Sequence, residues 1–518
     1  MGLKPGVLIP LVLAIALITV GTRDGAFAAE TDPAVEARIQ TVIPEIETYI
    51  TDGMKAFDVP GLAIGIVAND RLVYARGFGV RSRSAGQPVE PHTVFQIGSA
   101  TKGFLAATIA IMVDRGKLHW DDRVVDLYPG FQLKDPWVTR EFRVYDLLAQ
   151  RSGLPPYAND ALGLLGLDQD ALIGSLRTVK PVSSFRSTFA YTNITHMLAG
   201  RIVAKAAGAS DWNAVLQQEL LKPLGMKESS YTAAAIEAAA DHATGYRWTP
   251  KGSVEAPFSQ IFPYDFDGAG DVNSSVEDAA HWLRLQLGNG TFEGKRLVSP
   301  ENLAVTHTPK VAISERSAYA LGWVITQTAN GTIVWHNGGT STFGAFIGLV
   351  PGRNAGIIVF TNETNIGFPD SVGLWAADRI LNNATTDYAA ASLKAATQKY
   401  GEAEKLFAAP ASPRPSPPLA SLAGDFINPG VGKATVALEG DALVMTLKAS
   451  GSRLKLTPWD GDIFTASLMP EGRFAAVAAA NGPQPSGFVQ FPLDPLAKKV
   501  NGLRLSFDDG QAYVFPRE

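Results

Sequence analysis

The sequence predicts an α/β fold, an antiparallel sheet flanked by helices with a helical insertion, followed by a small all-β C-terminal domain. Three observations predict it. A strand pair lies near the start of a large region, and four strands joined by tight turns lie near its end, which suits an antiparallel sheet. Helical periods fill the stretch between them. Five prolines in nine residues (Pro410, Pro413, Pro415, Pro417 and Pro418) then set off a tail of alternating short strands and glycine turns.

Taken in order, the chain opens with Lys4, the uncharged run Val7 to Val20 and the small-x-small pattern Ala26-Phe27-Ala28. This reads as a signal peptide over residues 1–28, since 14 apolar residues fall short of the roughly 20 that span a bilayer. The mature protein is therefore expected to be periplasmic or secreted, without stable membrane insertion. Leu62–Ala68 and Arg71–Phe78 read as a hairpin around Asn69-Asp70. Thr101–Arg115 reads as a helix, apolar on several sides and so buried. Tyr191–Ala207 and Asp211–Leu220 are further helices, the second capped by Asp211. Tyr319–Gln327, Thr332–His336, Phe343–Val350 and Gly356–Thr361 read as strands, and a closing helix is expected near Ser371–Leu381. This large region is expected over 29–408, with the proline spacer at 409–418. In the tail, 419–518, strands are expected at Ala434–Leu438, Ala442–Leu447, Arg453–Leu456, Gly487–Phe491, Leu503–Phe507 and Gln511–Phe515. Glu439-Gly440-Asp441 and Asp509-Gly510 read as turns.

Composition narrows the chemistry. In 518 residues there are 45 lysines and arginines against 50 aspartates and glutamates, a formal charge of -5. That balance offers no field for nucleic acid. Cysteine is absent, which removes disulfides, thiolate metal sites and a cysteine nucleophile. The seven histidines are scattered without metal-binding spacing, so neither a metal nor another cofactor is expected. Hydroxyls, carboxylates, amines or imidazole must do any chemistry.

No G-x-S-x-G occurs, so the α/β-hydrolase nucleophile elbow is missing. Ser99-Ala100-Thr101-Lys102 does occur, at the start of the buried helix. At i and i+3 the hydroxyl and amine share one face and can touch. The first turn adds free backbone N–H groups. An amine there can take the serine proton if burial lowers its own affinity for protons. The pattern alone is weak, and Ser452-Arg453-Leu454-Lys455 repeats it in the tail. Tyr191-Thr192-Asn193 adds a tyrosine that could share a proton with a lysine, although Tyr157-Ala158-Asn159 matches the same pattern. His336-Asn337-Gly338-Gly339 ends a strand with glycines, where a substrate can approach the backbone.

With these pieces in place the chain resembles the serine β-lactamase-like and penicillin-binding-protein-like hydrolases, in particular their class C branch. The resemblance runs from about Ile43 to Asn383. It rests on Phe95–Lys102, Gly116-Lys117-Leu118 with Asp121-Asp122, Ser152–Pro155 and Phe189–Asn193. Ala243–Tyr246, Tyr319–Trp323 and His336–Thr340 follow in matching order. The tail is similar to the lipocalin-like β-domain that some members carry. The resemblance implies Ser99 as nucleophile of an acyl-enzyme, with Lys102 and Tyr191 together as general base and then acid. It also implies that Asn193 orients substrate and Lys102, that the backbone N–H groups of Ser99 and Gly339 form the oxyanion hole, and that His336 and Gly338 shape that edge. It leaves Tyr191, not Tyr157, as the family's tyrosine.

One departure narrows the substrate. Penicillin-directed members usually carry a lysine where this chain has His336, and a histidine is mostly neutral at pH 7. The expectation is therefore an exported serine peptidase or amidase acting on a small peptide or amide. A carboxylesterase with the same residues is the alternative, and a non-catalytic penicillin- or peptide-binding protein the alternative of another class. The tail is read as a stabilising appendage, because no ligand-like cluster marks it, with a cap on the active-site cleft that limits substrate length as the alternative.

Overall fold

The computed structural model describes residues 32–493, 500–507 and 510–518. The expected leader, 1–28, and Asp509 of the expected tail turn lie outside the described residues. The hairpin around Asn69-Asp70 is the edge of an eight-stranded antiparallel sheet. Its strands are β1 (Gly61–Ala68), β2 (Arg71–Gly79), β3 (Val311–Ala312), β4 (Ser317–Tyr319), β5 (Val324–Gln327), β6 (Thr332–Gly339), β7 (Gly344–Val350) and β8 (Ala355–Thr361). Their spatial order is β2-β1-β8-β7-β6-β5-β4-β3.

β1 is buried at every residue because both faces of the sheet are covered. Leu62, Ile64 and Ile66 pack in one core with helix α1 (Pro33–Phe57) and α4 (Phe368–Leu381). Ala63 and Val67 belong to the opposite core, which holds α2 (Thr101–Asp114) and α3 (Asn193–Ala207). The result is a three-layer sandwich, with the helical insertion on the α2 side. Residues 101–112 of α2 are all buried, as an all-round apolar helix requires.

Several expectations need correction. Tyr319–Gln327 is not one strand: β4 and β5 are separated by a turn in which Gly322 has φ +78°. A Cβ on Gly322 would lie 2.6 Å from the Lys102 carbonyl oxygen, so the turn presses directly on α2. Two long helices were not anticipated. In α1, Val35, Ile39, Val42, Ile46 and Ile50 form a helical stripe, but Pro44 interrupts the pattern. In α5 (Tyr388–Phe407) Ala389 alone is buried, so no apolar stripe announces it. Helix α3 begins at Asn193, with Thr192 extended as its cap, which leaves Tyr191 outside the helix just ahead of it.

The spacer 409–418 carries neither helix nor strand, and Arg414 anchors it to Asp460 of the tail at 2.8 Å. The tail is an eight-stranded antiparallel meander in sequence order, two strands more than expected. Gly424–Asn428 and Ile463–Leu468 are the additions, with a helix at Ala475–Asn481. Its first and last strands meet: Phe426 pairs with Arg517, and Glu518 N–H donates to the Asp425 carbonyl at 3.0 Å. The sheet therefore closes nearly into a barrel, which hides the edges.

Candidate active site

Ser99 sits in a single 3₁₀ turn, Gly98–Ala100, that leads into α2. The turn is set against β6, and the contact explains Gly338. A Cβ there would lie 1.8 Å from the Ile97 carbonyl oxygen. This glycine admits another segment of the protein, not substrate. Gly338→Ala is expected to push β6 or the Ser99 turn aside by about an ångström, costing on the order of 100-fold in kcat/KM. Turnover and thermal melting check this, and wild-type values for both would mean the strand yields freely.

Lys102 is fully buried one turn beyond Ser99. Its Nζ lies 3.0 Å from Ser99 Oγ, 2.7 Å from Asn193 Oδ1 and 2.7 Å from the Ala269 carbonyl. The last two groups can only accept. Asn193 is held with its oxygen toward Lys102 because its Nδ2 donates to Asp160 Oδ2 at 2.6 Å. A neutral amine therefore spends its two N–H groups on Asn193 and Ala269 and turns its lone pair to Ser99. Burial brings the Lys102 pKa down to about 7, against the opposing pull of Asp160 and Asp271.

Tyr191 is fixed from behind. Tyr157 N–H donates to its carbonyl at 2.6 Å, and Thr192 N–H donates to Gln150 Oε1 at 2.6 Å. Its ring meets Lys102 Nζ at 4.8 Å from the centroid and packs beside Tyr157, Tyr319 and His336. The hydroxyl is buried and makes no well-formed hydrogen bond among the described residues. Burial, reinforced by Tyr319, holds its pKa well above the ordinary phenol value, offset in part by Ser99.

His336 is 2% exposed. Its Nδ1 is 2.5 Å from the Asn337 carbonyl and must carry the proton, so Nε2 accepts from Tyr319 Oη at 2.9 Å. Burial, aided by nearby Lys102, lowers its pKa to about 3. The imidazole is thus neutral, and both nitrogens are engaged within the protein. It shapes the cleft through Tyr319 and leaves no ring N–H for substrate.

Ser99, Tyr191, Asn193, His336 and Gly339 line one cleft of about 970 Å³. Its lining includes the apolar Ala161, Leu164, Leu165, Phe262 and Phe266 and the polar Asn337, Asn365, Asp370 and Ser392. Leu468, Gln484, Pro485, Ser486 and Phe507 of the tail also line it. The tail is therefore a wall of the cleft, which favours the alternative reading, a cap on the active site, over that of an appendage. Its contribution comes from turns and strand ends with no common motif. Asp160 was also missed; it follows directly on Tyr157-Ala158-Asn159, the pattern set aside in favour of Tyr191. Ser452, the decoy serine, is buried in the tail away from this group. Among the described residues no cluster of three or more histidine, aspartate or glutamate side chains is placed to hold a metal.

Comparisons with known proteins bear on the family and the fold. A sequence model of the Beta-lactamase family matches residues 46–381, and a domain of unknown function, DUF3471, matches 408–511. The unguisins hydrolase of Aspergillus violaceofuscus is 26% identical over 497 residues, covering 86% of each chain. Protein flp of Staphylococcus aureus is 26% identical over 324 residues, 61% of this chain and 62% of its own. The octameric penicillin-binding protein homologue from Pyrococcus abyssi superposes with a TM-score of 0.59 at 22% identity, over 91% of this chain and 99% of that one. The last likeness is one of fold.

Proposed function

Because the chain belongs to the Beta-lactamase family, we propose that it is an exported serine peptidase or amidase that works through an acyl-enzyme on Ser99. One observation carries the reading: Lys102 Nζ lies 3.0 Å from Ser99 Oγ while two obligate acceptors, Asn193 Oδ1 and the Ala269 carbonyl, take its other hydrogen bonds, an arrangement in which the neutral amine can receive the serine proton. Lys102 takes the Ser99 proton as Oγ bonds to the substrate carbonyl carbon. The backbone N–H groups of Ser99 and Gly339 receive the oxyanion, each such donor supporting the rate by about 100- to 1,000-fold. The C–N bond then breaks, and the proton passes to the leaving amine through the adjacent Tyr191 phenol. Water repeats the sequence to release the acid. A Tyr191 held protonated by burial suits proton delivery better than abstraction, so Lys102 is the base.

The substrate reading follows from charge. Asp160 and Asp370 are the carboxylates of the cleft lining, and neutral His336 supplies no cation to balance them. A free substrate carboxylate gains little there, which argues against dedicated cleavage of β-lactams or C-terminal D-Ala-D-Ala. The cleft volume accommodates a small peptide. The apolar lining residues favour a second reading, a carboxylesterase for hydrophobic acyl groups, with the same machinery. Export rests on the leader expected at 1–28 and on the absence of cysteine.

The test compares an aminoacyl p-nitroanilide with the matching p-nitrophenyl ester, using Ser99→Ala as blank. Amide cleavage within a modest factor of ester cleavage is the expected result. Cleavage of the ester alone would make the enzyme an esterase, and no turnover of either would point to a binding protein.

A further inference from the structure

We propose that the C-terminal β-domain is part of the catalytic apparatus, because Gln511 and Tyr513 clamp the loop from which Asp160, Asn193 and Lys102 are aligned on Ser99. The proposal rests on the reading of Lys102 as the base and adds to it the group that keeps it in place.

The loop is held in a conformation it would not choose. Tyr157 and Asn159 have φ +55° and +62°, left-handed values that asparagine tolerates but a tyrosine rarely adopts without support. Gln511 supplies that support from the tail. Its Nε2 donates to the Tyr157 carbonyl at 2.7 Å, and its Oε1 accepts from Asn159 N–H at 2.8 Å, so one amide bridges both left-handed residues. Tyr513 Oη donates to Asn159 Oδ1 at 2.9 Å, while Asn159 Nδ2 donates to Ser175 Oγ at 2.6 Å. Asn159 is thereby fixed on both ends of its side chain.

Both partners of Ser99 hang from this loop. The next residue, Asp160, accepts from Asn193 Nδ2 at 2.6 Å, and Asn193 Oδ1 accepts from Lys102 at 2.7 Å. Three residues before Asp160, Tyr157 N–H donates to the Tyr191 carbonyl at 2.6 Å. Neither Gln511 nor Tyr513 lines the cleft, so they act on the reaction through position and not through substrate contact.

The full-length chain carries the test, with Gln511→Ala combined with Tyr513→Phe, and Asp160→Asn as reference. The groups facing Lys102 are the carboxylates of Asp160 and Asp271, the Tyr191 phenol, and the imidazoles of His196 and His336, both neutral. Freeing the loop withdraws Asp160, whose charge favours the protonated lysine. The acid limb of the pH profile is therefore expected to move to lower pH, and Asp160→Asn is expected to move it the same way. On the p-nitroanilide, kcat is expected to fall by about 10-fold or more with KM within about twofold. Wild-type kcat and limb in a variant that only melts earlier would overturn the proposal, as would a rise in KM alone. If the double variant does not fold, Tyr513→Phe, which removes a single hydroxyl, is read the same way. The rate of Ser99 labelling by a fluorophosphonate, in which Oγ bonds to phosphorus and fluoride leaves, follows serine activation without an amide substrate. Labelling that is absent even in the wild type would refute the assignment of Ser99. Wild-type labelling unaffected by the variants would refute only the clamp.

Discussion

Replacing Ser99 by alanine is expected to lower kcat/KM on either p-nitrophenyl ester or p-nitroanilide by about 10⁴- to 10⁶-fold. The change deletes one oxygen. Lys102 keeps Asn193 Oδ1 and the Ala269 carbonyl as partners, and the turn Gly98–Ala100 keeps its backbone contacts with β6. The thermal midpoint is therefore expected to stay near that of the wild type. A residual rate above solvent would come from the oxyanion donors, which survive. Activity within about tenfold of wild type in a folded variant would remove Ser99 from the mechanism and every role built on it.

Lys102→Met is the second large effect. The side chain matches lysine in length, so the buried space is filled, but the base is gone. A loss of about 100- to 10,000-fold in kcat is expected. It will not add to the Ser99 effect, because the two groups act on one proton. The substitution also strips a donor from Asn193 Oδ1 and from the Ala269 carbonyl, each worth about 1–3 kcal/mol when left unpaired in the interior. Lower thermal stability should accompany the loss of rate. The pH dependence separates the two causes. The working form of Lys102 is the neutral amine, so wild-type kcat is expected to rise with pH and level off above about 7, the value to which burial lowers the amine. His336, neutral from about pH 3 upward, is expected to add no limb between pH 5 and 9. A rising limb that persists near pH 7 in Lys102→Met would assign the base to another group.

The parts of the fold that were legible are those whose side chains repeat with the period of their own element. β1, β7 and β8 could be placed because each is a short apolar run bounded by turn residues, and β2 because Asn69-Asp70 turns the chain back onto β1. α5 was invisible for the opposite reason: with Ala389 as its one buried residue, it has no stripe. The strand expected at Tyr319–Gln327 failed at Gly322, whose turn exists to seat against the Lys102 carbonyl, a contact 220 residues away in sequence. Ile463–Leu468 was passed over between turns, although it pairs with Arg453–Asp460 as a regular meander strand.

The same division holds at the site. The sequence alone determined that Ser99 and Lys102 share a helical face, since three residues of helix set that distance whatever surrounds them. It also determined that this chain supplies no thiol, and the family resemblance carried by its motifs pointed to Tyr191 and not Tyr157. Tertiary structure decided the rest. Whether Lys102 is a base or a cation depends on its dielectric surroundings and on Asn193 and Ala269, groups 91 and 167 residues distant. His336 is neutral because it is buried against Tyr319 and near Lys102, not because it is a histidine. Tyr157-Ala158-Asn159, set aside as a motif, is the segment that Gln511 of the tail holds, next to Asp160. Desolvation and hydrogen bonding between distant segments depend on which segments meet, and local sequence spacing carries no record of that.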